Sequence, residues 1–214
     1  ADSTQSNRAV YTKSGASGSG SWSKTIELLT DAQRPIYVLE QHGSRASSIT
    51  YIALFKSTDA GQSYTFVREL QIATFASGNQ GLFYVKVAPN GDVMLAGIKG
   101  AWLSIDQGVN FTQKHSREVS ACAFFGGDST TASGAYIGDA SANSNGGLYR
   151  TTNVRSTAFA KTASSGLPAN FNVWDMAVAP TNPNRILINT DDPTPYLTTN
   201  AGSSWTAVTS AKIV

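Results

Sequence analysis

One turn signature returns four times along the chain at a fixed interval, and it restricts the fold more than any other feature. It reads FKSTDAGQSYTF around Asp59, WLSIDQGVNFTQ around Asp106, YRTTNVRSTAFA around Asn153 and YLTTNAGSSWTA around Asn200, each centre 47 residues after the last. A hydroxyl stands two positions before the centre (Ser57, Ser104, Thr151, Thr198). A glycine follows two positions after it in three copies (Gly61, Gly108, Gly202). An aromatic comes five positions after at Tyr64, Phe111 and Trp205, and six after at Phe159; the third copy has no glycine and one extra residue.

The chemistry of each copy is that of a hairpin turn. An Asp or Asn side-chain oxygen accepts from nearby backbone N–H groups, and glycine supplies a positive φ. The aromatic then packs on the adjoining sheet. Every residue of the box thus has a structural role before any function is considered.

The remainder of each period reads as strands. LFYVKVAPNG and DVMLAGI precede the second box, VSACAFFGG and ASGAYIGD the third, and VWDMAVAPTNPN and RILINTD the fourth, each pair broken by a Gly, Pro or Asn turn. With the two arms of the boxed hairpin this makes four strands per period. In the first copy PIYVLEQHG aligns with LFYVKVAPN, and ITYIALFKS has to serve as both middle strands. Four-stranded units of this length, repeated, predict an all-β β-propeller in which each sheet covers its neighbour.

Composition agrees with such a fold and removes several functions. Of 214 residues 41% are hydrophobic and 14% charged, enough to bury a large core. A net charge of +2 with no basic stripe argues against nucleic acid as a partner. No apolar run reaches the roughly 20 residues of a membrane-spanning helix. The single cysteine, Cys122, lies in the apolar run VSACAFF and reads as a buried hydrophobe. His42 and His115 have no zinc spacing, no nucleophile elbow or phosphate loop occurs, and no metal or cofactor is expected. The triplet Asn110-Phe111-Thr112 is a glycosylation sequon inside a box hairpin. The small, polar start ADSTQSN is that expected of a mature secreted chain.

The pattern Ser-x-Asp-x-Gly-x-x-aromatic, as in STDAGQSY and SIDQGVNF, resembles the Asp-box, or bacterial neuraminidase repeat. The text APTNPNRILINT followed by PYLTTNAGSSW is similar to propellers of xyloglucan-cleaving glycoside hydrolases, sortilin-type receptors and plant photosystem assembly factors. The resemblance spans residues 34 to 210 and implies the fold; function is not implied, because such repeats serve many roles. Sialidases carry an Arg-Ile-Pro motif, and Arg34-Pro35-Ile36 has those residues in another order. Resemblance to the xyloglucan-cleaving enzymes implies a catalytic Asp after a blade's second strand, a place occupied by Asp191, with Asp192 and Asp175 as further candidates. Hydrolysis would need a second carboxyl about 5–9.5 Å away across a cleft.

The organisation that follows is a run of blades over residues 34–214, preceded by N-terminal strands over 1–33. RAVYTKSG (8–15) and SWSKTIELL (21–29) read as the outer half of a further blade. Four boxes lie at the lower limit for a closed ring, so a second subunit or the remainder of a longer chain is expected to complete it. The expected function is a non-enzymatic extracellular or surface module, virion surfaces included, that binds glycan or serves assembly. Trp22, Trp102 and Trp174 are the candidate stacking residues. The alternative is a glycoside hydrolase or its inactive remnant.

Overall fold

A computed structural model describes residues 5–13, 22–31, 35–43, 48–78, 80–127, 130–140, 146–169, 171–179 and 182–209, with backbone alone over 5–13 and 22–31. The chain is all-β, and its sheets have the arrangement of propeller blades. β1 (Gln5–Lys13) and β2 (Trp22–Asp31) pair as a separate antiparallel hairpin. The first sheet contains β3 (Ile36–Gly43), β4 (Ile49–Ser57) and β5 (Thr65–Glu69). A single helical turn, α1 (Ile72–Phe75), leads to the second sheet of β6 (Leu82–Val87), β7 (Val93–Gly97), β8 (Gly100–Ser104) and β9 (Thr112–His115).

The third sheet is built from β10 (Val119–Phe125), β11 (Gly134–Asp139), β12 (Gly147–Thr151) and β13 (Ala160–Lys161). The fourth has β14 (Val173–Ala179), β15 (Asn182–Thr190), β16 (Tyr196–Thr198) and β17 (Thr206–Ala207). Every sheet is an antiparallel meander in chain order. The box joins the last two strands each time.

Strand alternation explains why the sheets stack. Side chains along a strand point to opposite faces in turn, and in β7 both faces are buried: Val93 and Leu95 meet the first sheet's Ile52 and Leu54, while Met94 and Ala96 meet the third sheet's Ala135 and Ile137. In the third sheet Ile137 and Tyr149 face back, and Tyr136 and Leu148 face forward onto Val173, Ile186 and Ile188. Three apolar layers therefore fill the three gaps between four sheets. Fully burying one side chain such as Leu95 contributes about 1.5–3 kcal/mol. The first strands of successive sheets also adjoin one another, β6 against β10 and β10 against β14.

The first sheet departs from the four-strand expectation. Ile36 lies 21 residues before Ser57, and Leu82 lies 22 before Ser104, so by distance β3 matches β6. By pairing it matches β7, because Ile36 faces Ser57 as Val93 faces Ser104. Lengthening of β3 and β4 to eight and nine residues consumes the segment that elsewhere makes a second middle strand. Among the described residues, the strand absent from this sheet is the innermost.

The short α1 was not legible in the strand pattern. It drops Phe75 into the first gap, 4.8 Å from the Trp102 ring and edge-on to Phe111 at 6.1 Å. No helix among the described residues is long and apolar enough to cross a membrane.

Candidate functional site

The four boxes form one end of the sheets. In the first, the Ser57 hydroxyl donates to Asp59 Oδ1 (2.7 Å) and accepts from the Gly61 N–H (2.8 Å); Asp59 Oδ1 also accepts from the Ser63 N–H (2.9 Å). The second repeats this with Ser104, Asp106, Gly108 and Asn110, all at 2.8 Å. In the fourth, Thr198, Asn200, Gly202 and Ser204 take the same places. The residue after the acid or amide is left-handed in all three: Ala60 at φ 58°, Gln107 at 61° and Ala201 at 59°.

The third box is built differently. Asn153 Oδ1 accepts from the N–H groups of Arg155 and Ser156, and the Thr151 hydroxyl turns to the Thr157 carbonyl. The Ser63 hydroxyl, the Ser63 N–H and the Ser57 hydroxyl together hold the Asp59 carboxyl down to about 2. Asp106 is lowered as well, first by the Asn110 N–H. These are carboxylates engaged in folding their own turns. The box aromatics Phe159 and Trp205 pack against the second and third gaps, Phe111 against the first, and Tyr64 stays 39% exposed.

The opposite end of the third and fourth sheets carries the chemistry. Trp174 is the extra residue of a bulge, between the pairs Val173–Thr190 and Asp175–Asn189, and is 47% exposed. Its indole N–H donates to Asp191 Oδ1 at 2.6 Å, while Asp191 Oδ2 accepts from the Asn172 N–H at 2.8 Å. Partial desolvation pulls the Asp191 carboxyl upward, but the bonds from Asn172 and Trp174 outweigh it and leave it lowered. Asp192 accepts from the Thr194 N–H, folding the turn across Pro193. Asp175 accepts from the Met176 N–H beside it.

A second group at this end spans the second and third sheets. Asp139, fully buried at the end of β11, accepts from Arg117 Nε at 2.7 Å and meets His115 Nε2 at 2.8 Å. Arg117 continues to the Tyr149 hydroxyl at 2.6 Å, and its guanidinium lies over that ring at 5.3 Å. Beside it, burial and then the Asp139 charge raise the Glu118 carboxyl. Sequence reading missed Asp139, Arg117 and Glu118. A charge ending the apolar run GAYIGD was the one available signal.

Of the candidate stacking residues, Trp174 alone is both described and open. Trp102 is buried against Phe75, Trp205 is buried under the fourth box, and the Trp22 side chain lies outside the described residues. Among the described residues no group of three or more His, Cys, Asp and Glu could hold a metal ion.

No protein-family model and no curated protein matches this sequence. Solved structures do match in fold. The chain is similar to YCF48 from Cyanidioschyzon merolae (TM-score 0.54, 15% identity, 90% of this chain and 64% of that one). It is also similar to the GH74 enzyme of Niastella koreensis (TM-score 0.50, 16% identity, 80% of this chain and 36% of that one). An ancestral GH74 enzyme aligns with a TM-score of 0.55 at 14% identity, over 79% of this chain and 23% of that one. The chain thus spans less than two thirds of the length of each. At these identities the likeness concerns architecture alone, and that architecture is the β-propeller.

Proposed function

We propose that this chain is a non-enzymatic β-propeller module of the Asp-box type, secreted or surface-exposed, that binds glycan at the end of its sheets opposite the boxed turns. The observation that carries this reading is the Trp174–Asp191 pair. A half-exposed indole whose N–H is fixed by a carboxylate is a pre-oriented plate on which a sugar ring can stack. The Asp191 carboxylate beside it remains a strong acceptor for sugar hydroxyls. One plate of this kind gives weak binding, so useful affinity requires several copies on one surface.

The bonding of the candidate carboxylates speaks against catalysis. Glycoside hydrolysis needs one carboxyl kept protonated opposite one kept ionised. Asp191 and Asp192 accept bonds that hold the turn after β15, and Asp175 accepts from the next backbone N–H within β14. One observation favours the other reading, a glycoside hydrolase or its remnant: Glu118, at the same end, is raised while Asp191 is lowered.

A glycan array followed by calorimetry on the best binder tests both. Under the binding reading, Trp174→Ala lowers affinity at least tenfold, Glu118→Gln leaves it unchanged, and the bound oligosaccharide is recovered intact. Unchanged affinity in Trp174→Ala overturns the stacking site. Release of reducing ends that Glu118→Gln abolishes establishes the hydrolase instead.

A further inference from the structure

Two positions, 51 residues apart, meet across each junction between sheets: the residue before a box hydroxyl, and the residue after the acid or amide of the next box. At the first junction they are Lys56 and Gln107, and the Lys56 ammonium donates to Gln107 Oε1. At the second they are Leu103 and Val154, both buried in one apolar cluster. Each of these pairs is matched, cation with acceptor and hydrocarbon with hydrocarbon. At the third the pair is Arg150 and Ala201, a cation beside a methyl group.

Among the described residues no carboxylate lies within ion-pair distance of Arg150. Its guanidinium rests on the rings of Phe125 and Tyr136, 5.2 and 5.7 Å from their centroids, and Nε is buried without an acceptor. Ring faces attract a cation, but they supply no lone pair in the plane of its N–H donors. With Nε sealed, the terminal nitrogens are the donors that reach an open groove of about 370 Å³ between the third sheet and the fourth box. Thr152, Thr157 and Ala201 share its lining, and no carboxylate does. Lys161 also borders the groove, but its Nζ turns toward Gly147, 3.7 Å from where a Cβ there would stand.

We propose that this groove binds a tetrahedral oxyanion, a sulfate or phosphate group, against Arg150, which thereby gains the acceptor that Gln107 gives Lys56. A guanidinium suits such a group because it is always charged and weakly hydrated, and bonds to an ionised acceptor are about twice as strong as neutral ones. The Thr152 and Thr157 hydroxyls supply donors for oxygens outside the guanidinium plane, which a flat carboxylate lacks. A single cation gives the free ion an affinity on the order of millimolar. The site lies at the boxed end, away from Trp174, and is independent of glycan binding there.

Amide NMR titration of the full chain with sodium sulfate, and separately with phosphate, at constant ionic strength tests this. Saturable shifts are expected at Ala201, Gly202 and Ser203. Arg150→Gln should weaken binding about tenfold or more. Ala201→Gln keeps the arginine and supplies an internal acceptor, on a backbone at φ 59° close to the 61° that Gln107 already occupies. It should weaken binding about threefold or more with the rest of the spectrum unchanged. Lys161→Gln removes an equal charge and should leave affinity within about twofold. A sulfated oligosaccharide that competes with the free ion and binds more tightly identifies the ligand as an ester; one that binds no more tightly identifies the free ion. Absence of saturable shifts, undiminished binding in Arg150→Gln or Ala201→Gln, an equal loss in Lys161→Gln, or acetate binding as tightly as sulfate overturns the proposal.

Discussion

Arg155 grips Asp92 with two parallel bonds, Nε to Oδ2 at 2.8 Å and a terminal guanidinium nitrogen to Oδ1 at 2.7 Å, across the gap between the second and third sheets. Asp92 is 1% exposed and Arg155 39%. In the one boxed turn without glycine, an ion pair thus joins the sheets. Arg155→Ala leaves a buried carboxylate with Asn90 as its remaining side-chain partner, and is expected to cost about 2–3 kcal/mol, discounted for the exposed guanidinium. Urea unfolding measures it, and a double-mutant cycle with Asp92→Ala should return a coupling of about 1 kcal/mol or more.

Acid should open the boxes selectively. A carboxyl whose folded pKa lies below its unfolded value of roughly 3.9 adds stability that is complete above that value and is lost as pH falls through the folded one. For Asp59 that window runs down to about 2, and Asp106 moves in the same direction. The protection factors of the Ser63 and Asn110 amides, measured against the intrinsic exchange rate at each pH, should therefore fall as pH drops below about 4. The Ser204 amide, held by the neutral Asn200, should keep its protection.

The glycines of equivalent boxes are not equivalent in cost. Both sit at positive φ, Gly61 at 88° and Gly108 at 90°. A Cβ on Gly61 would meet the Tyr64 hydroxyl at 3.2 Å, whereas one on Gly108 would press to 2.7 Å from Leu54 Cδ2 in the core. Gly61→Ala should cost about 1 kcal/mol, and Gly108→Ala about 2–4 kcal/mol through the added clash. Thermal or denaturant melts of the two variants give the comparison.

Cys122 is buried, and desolvation pushes its thiol up to about 12. Thiolate is the reactive form. The native protein should therefore leave a thiol reagent unconsumed at pH 8, and one equivalent should react at the unfolding transition. Stoichiometric labelling of the native chain would contradict this burial.

What could be read from sequence followed from local chemistry. The boxes were legible because every bond that folds them lies within six residues, and the sheets because their strands alternate or run apolar between turn residues. The three-stranded first sheet was not legible, since ITYIALFKS fits one long strand or two short ones equally and pairing decides. Nor was the group around Asp139: His115, Arg117, Asp139 and Tyr149 come from three strands and a connecting loop, with no spacing that links them. Trp174 and Trp102 look alike as letters, and their difference depends on a bulge in one and the arrival of α1 beside the other.

The self-contained bonding of the boxed turn has an evolutionary consequence. A Ser57-to-Ser63 loop that carries its own donors and acceptors can be copied without consulting the rest of the sheet, so the inner edge of each unit is free to drift. Among the described residues the first sheet has three strands where the second has four, yet the two boxes fold on the same set of bonds. The hinge between the outer strands is thus independent of how the inner edge of its sheet is built.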